Sequence, residues 1–291
     1  MGEQGRRGMM NVWYKLLEIL PFEWAQEGQM LFMKNALLAV ILLTPLFALL
    51  GTMVVNNNMA FFSDALGHGA FTGVAIGGLF GLVRPVGSAV VFSLLFAFLI
   101  ALIKHRSKYS SDTIIGVFSS TAVALGIFLT TIGGRSFTKL NSYLVGDILS
   151  ITPGEIGFLF ILLLVVLAFW MIFFNRLLLV SINPSLAGSR GVHTFWYEVL
   201  FSCAVAIAVT VSMSWIGLLV INSFLVLPAA SARNIARNQR QYHFWAVAFS
   251  LFSGILGLIL SYYIETASGS TIILISSLIF FLTFAIRKKF A

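Results

Sequence analysis

The chain has 291 residues, of which 59% are hydrophobic and only 10% charged, and its mean hydropathy is +0.98. Soluble domains carry roughly a quarter charged residues, so this composition excludes a soluble globular protein and leaves one integral membrane domain. The net charge of +8 does not indicate nucleic acid, because the cations fall in short segments between apolar runs, as in proteins oriented in a bilayer.

The first stretch, "MGEQGRRGMMNVWYKLLEILPFEWAQEGQ", mixes Trp, Leu and Ile with Glu and Lys. It has neither a clean apolar h-region nor a small-residue cleavage site, so it is not read as a signal peptide. Residues 1–28 are expected to form an amphipathic segment on the membrane surface, anchored by Trp13 and Trp24. Residues 29–291 form the transmembrane domain. A spanning helix needs about 20 mostly apolar residues. On that criterion spans fall near 30–55, 60–81, 86–103, 113–132, 155–175, 196–213, 215–230, 242–263 and 270–286. The fold class is therefore all-α and polytopic, with about nine transmembrane helices and a range of eight to ten. Two pairs abut closely, and the run around Trp215 reads equally as one broken helix. Cys203, the single cysteine, lies in an apolar run and cannot form an intramolecular disulfide.

Charge places the loops. Lys104, Arg106 and Lys108, then Arg176 and Arg190, then Arg233, Arg237 and Arg240, then Arg287, Lys288 and Lys289 recur at every second connection. That puts these connections and the C-terminus in the cytoplasm and the N-terminus outside, with Arg84, Arg135 and Lys139 as sparser outer charges. Two connections are more than turns. The outer "GGRSFTKLNSYLVGDILSITPGE" is long enough for a short or re-entrant helix. The inner "NRLLLVSINPSLAGSRGVHT" predicts a short helix with Asn183 as N-cap, Pro184 at its first position and Gly188 or Gly191 ending it. Such a helix is a natural knob for a soluble partner.

One span, "FFSDALGHGAFTGVAIGGLFG", carries Asp64 and His68. A charge at mid-membrane costs at least about 2.5–3.5 kcal/mol on insertion scales, so a partner, water or an ion must offset it. The i, i+4 spacing puts both side chains on one helix face, within reach of a single cation. Carboxylate and imidazole suit zinc, manganese or ferrous iron. Two ligands are too few for a tight structural site and suit transient binding. The pair alone leaves two readings open, an interhelical hydrogen-bonded lock or an ion pathway. Beside it, Gly69, Gly73, Gly77 and Gly81 form a small-residue stripe, read as a packing surface. Asn222, in a run that also holds Pro228, is either a neutral oxygen ligand or interhelical glue. Asp147 and Glu265 are outer-side acids, placed to attract cations or simply solvated. No H-E-x-x-H and no Walker A loop occurs, so the chain is not expected to be an enzyme.

These residues resemble a known family. "MAFFSDALGHGAFTGVAIG" is similar to the Met-x-(Tyr/Phe)-x-(Gly/Ser)-Asp-(Ala/Thr)-x-x-His signature of permease subunits from bacterial ABC importers for zinc, manganese and iron. "SDTIIG", "YLVGDILSITPGE" and "IGLLVINSFLVLPAASA" follow in the family's order, and "NPSLAGSRGV" resembles its cytoplasmic Pro-x-x-Ala-x-x-x-Gly segment through Pro184, Ala187 and Gly191. The resemblance implies the ABC-importer permease fold and a homodimer in the bacterial cell membrane. It also implies cytoplasmic ATPase subunits that dock on the 184–191 helix, and an extracytoplasmic metal-binding protein or lipoprotein that delivers the ion. Asp64 and His68 would line the path, with Asn222 assisting. No cofactor is expected to be bound permanently, because the divalent ion, zinc first and manganese next, is the cargo. The alternatives are a permease for metal chelates or siderophores, and a stand-alone ion channel or proton-coupled carrier.

Overall fold

The computed structural model describes residues 13–15, 17, 23–26, 30–81, 86–132 and 146–287. Most of the 1–28 segment, Arg84, Arg135, Lys139, Lys288 and Lys289 lie outside the described residues, as does 133–145 of the outer connection.

Nine helices of 18 residues or more stand among the described residues: α1 (Leu31–Asn56), α2 (Phe62–Leu79), α3 (Val86–Arg106), α4 (Ser111–Ile132), α5 (Pro153–Ile182), α7 (Thr194–Ile216), α8 (Leu218–Ile235), α9 (Gln239–Ile264) and α10 (Ser268–Ile286). The short α6 (Pro184–Ser189) joins α5 to α7. Eight of the nine are long and apolar enough to cross a membrane; α2 is the exception, since it carries Asp64, His68 and its glycines within 18 residues. It still lies inside the bundle, packed on α3, α4 and α7.

The helix ends follow local sequence chemistry. At the start of α5, Thr152 and Glu155 form a reciprocal capping box ahead of Pro153. This helix reaches Ile182, well past the 155–175 run expected from membrane thickness, because nothing in "RLLLVSI" stops it before Asn183 and Pro184. The Trp215 region resolves into two helices. Gly217, at φ 85° and ψ 151°, takes a conformation that side chains rarely adopt and separates α7 from α8. Between α4 and α5 the described part of the connection is a single 3-10 turn, Ile148–Ser150, with Asp147 accepting from the Leu149 N–H at 3.0 Å.

Buried Leu43, Leu46, Phe47 and Leu50 place α1 at the centre, against α5, α8 and α9. Near its start Lys34 is only 1% exposed, and its ammonium donates to the Gln26 carbonyl at 2.9 Å. Trp13 donates in turn to the Lys34 carbonyl, and Trp24 is buried, so the described part of the N-terminal segment is fastened to α1.

Candidate functional site

The site begins where α1 turns into α2. Met59 is buried, its N–H donates to the Val54 carbonyl, and its own carbonyl accepts from the Phe62 N–H at 3.0 Å, which starts α2. Asp64 therefore sits in the first helical turn, where a carboxylate complements the partial positive charge of a helix N-terminus. One turn on, His68 Nε2 stands 3.4 Å from Asp64 Oδ2. The other carboxylate oxygen, Oδ1, accepts from Asn222 Nδ2 at 3.2 Å, across from α8. Two residues on two helices, His68 and Asn222, thus converge on the Asp64 carboxylate. The side chains of His68 and Asp64 remain 25% and 40% exposed, so no other helix among the described residues seals them.

Asn222 Oδ1 is buried and lacks a hydrogen-bond partner. The amide thus aims its donor at Asp64 from another helix, the interhelical contact that was one of the two roles the sequence left open. Among the described residues no group of three or more His, Cys, Asp or Glu side chains is placed to hold a metal ion. One chain offers an acid, an imidazole and an amide oxygen. That set can greet a passing borderline cation, and it lacks the four donors of a closed structural site.

The glycine stripe divides. A Cβ on Gly73 would lie 2.6 Å from Ala89 Cα, and one on Gly69 would lie 3.1 Å from the Phe96 ring, so this face of α2 meets α3 at backbone range. Gly77 is buried. Gly81 does not belong to the packing surface: it lies beyond the helix end at φ 72°, with open space around it, and serves the turn. Period-four spacing cannot show where a helix stops.

In the short helix, Asn183 caps α6 by accepting from the Leu186 N–H at 3.0 Å, and Pro184 takes the first position. Ala187 is its one buried residue, and the Val192 N–H closes the far end onto the Ala187 carbonyl at 3.0 Å. Gly191, at φ 75°, makes that closing turn, and Gly188 stays inside the helix. Asp147 is occupied as a cap, and Glu265 ends α9 in the left-handed conformation; neither is among the partners of Asp64.

The sequence reading missed a second ion pair. Lys104 Nζ, on α3, lies 3.6 Å from Glu198 Oε1 on α7 and 3.7 Å from Met59 Sδ. Lys104 falls just past the predicted span 86–103, and its charge was assigned to a loop. The available signal was the opposite charge of Glu198 at the start of a later span.

The chain is a polytopic helical membrane protein with an acid–imidazole pair in an interior helix. The sequence profile of the ABC 3 transport family matches residues 29–287, and the chain belongs to that family. It is 33% identical over 254 residues to the high-affinity zinc uptake system membrane protein ZnuB of Haemophilus influenzae, covering 87% of this chain and 97% of that protein. It is 32% identical over 258 residues to the manganese import system permease protein ScaB of Streptococcus gordonii, covering 89% and 92%. Among solved structures, PsaBC from Streptococcus pneumoniae in complex with Fab matches with a TM-score of 0.75 at 29% identity over 95% of each chain.

Proposed function

We propose that this chain is the permease subunit of an ATP-driven importer for a divalent transition-metal ion, with zinc first and manganese next, and that Asp64 and His68 bind the ion in transit. The observation that carries the reading is the partly open Asp64–His68 pair at 3.4 Å on a helix otherwise built for burial. An acid in such a position, left partly open, is suited to meeting a passing cation. Relatives named for zinc and for manganese support the cargo class, and the N/O donor set accepts either metal.

In this reading a second copy of the chain brings another Asp64–His68 pair to a two-fold axis and completes a four-donor transient site. Asn222 works mainly through Asp64, since its amide N–H donates to the carboxylate and fixes it. An extracytoplasmic metal-binding protein delivers the ion at the outer face. ATPase subunits dock on the segment holding Pro184, Ala187 and Gly191, and they alone hydrolyse ATP. The chain lies in the bacterial inner membrane with its C-terminus in the cytoplasm, an orientation that the recurring Lys and Arg clusters support.

The test is uptake of radiolabelled zinc or manganese by cells or proteoliposomes. Asp64→Ala and His68→Ala should each reduce uptake to background while the protein stays folded and bound to its ATPase. Normal uptake in both variants would refute the site.

A further inference from the structure

Adjacent residues near the start of α7 reach in opposite directions. Tyr197 accepts a hydrogen bond from Arg176 on α5, and Glu198 pairs with Lys104 on α3. The first turns of α7 are therefore clamped between the two helices, just after the short α6 that α5 and α7 suspend. Lys104 makes a second contact from the same ammonium: it donates to Met59 Sδ at 3.7 Å, a weak but directional interaction with a polarizable sulfur. Met59 is buried in the turn that starts α2, and its carbonyl holds the Phe62 N–H, two residues before Asp64. One side chain thus touches both the helix that follows α6 and the turn that begins the helix of the acid–imidazole pair. Lys104 and Glu198 are only 21% and 25% exposed, so solvent screens the pair less than an ordinary surface ion pair.

We infer that Lys104 is a positioning residue that transmits displacement of α6 to α2: movement of α6 shifts Glu198, Glu198 draws Lys104, and Lys104 moves Met59 and the first turn of α2 with Asp64. The inference rests on the proposed reading of α6 as the ATPase-docking element. It assigns a role to the signature methionine, Met59. Breaking this chain of contacts should change how ATP hydrolysis is converted into transport, and leave the binding site itself alone.

The experiment uses the full permease with its ATPase subunits in proteoliposomes and reads zinc ions imported per ATP hydrolysed. Zinc binding to the purified permease and co-purification of the ATPase are measured alongside. Lys104→Gln and Glu198→Gln should each lower the import ratio about two- to thirtyfold, the range that links in such networks produce. Both should bind zinc and retain the ATPase as the wild type does, and Lys104→Arg should keep the wild-type ratio. Met59→Leu, which removes only the sulfur contact, should cause a smaller fall. A wild-type ratio in both Gln variants would overturn the inference. So would a parallel loss of zinc binding or of ATPase association, because the pair would then be a simple structural brace. Asp64→Ala separates the two levels: if it imports zinc normally, the metal-path reading fails. If it does not, and the Gln variants still transport at the wild-type ratio, only the relay fails.

Discussion

Helices α2 and α5 are near opposites. The longer, α5, has 30 residues, is almost wholly apolar, and turns much of its length outward, with Met171 83% and Ile172 69% exposed. The shorter, α2, has 18 residues, is rich in glycine and carries Asp64 and His68, yet most of it is buried. In a soluble protein the greasier helix would be the core. Lipid reverses that rule, since hydrocarbon tails accept Leu and Ile as readily as another helix does. The central α1 is apolar too, so apolarity alone does not decide burial; α2 suits the interior because its small residues let backbones approach and its polar groups need shelter. Polarity and burial together mark the working helix here.

Four substitutions break or sharpen this contrast. The largest effect is expected on α2, where Asp64→Ala should bring metal uptake to background while the protein remains extractable as a folded species. Gly73→Leu, on the same helix, should destabilise the fold by about 3 kcal/mol, the upper part of the usual overpacking range. Its Cβ would already lie 2.6 Å from the Ala89 backbone, which cannot rotate away; thermal unfolding in detergent reads the loss. Asn222→Ala should weaken apparent metal affinity roughly tenfold with little change in maximal rate, the cost of losing a ligand's supporting hydrogen bond. That split appears in uptake measured against metal concentration. On α5, Met171→Ala should change stability by less than about 0.5 kcal/mol, as for exposed positions generally. A large effect at Met171 would mean that this face of α5 meets another chain.

Much of this was legible in the chain itself. Asp64 and His68 stand out because a span tolerates few such residues, and the i, i+4 spacing places them on one face without any structure. The α6 cap was equally local: Asn183 and Pro184 specify a helix start whatever surrounds them. Three features were not legible. The seven extra residues at the end of α5 escaped because membrane thickness says where a span must reach, and a helix stops only where its chemistry stops it. Gly81 shares the period of Gly69 and Gly73, and only its position past the helix end separates the turn from the packing face. The Lys104–Glu198 pair joins residues 94 positions apart, and no local pattern reports such a meeting.

By itself, then, the sequence determined a helical membrane bundle, its approximate spans, the residue pair that carries charge into it and the short helix at Pro184. These follow from composition, periodicity and capping, which act over a few residues. Tertiary structure alone decided that Asn222 reaches the Asp64 carboxylate, that α2 lies inside while α5 lies outside, and that Lys104 bridges α7 to the turn at Met59. Each of these depends on which helices become neighbours. That choice is made by side-chain shape and backbone approach summed over the whole bundle, which no single segment encodes.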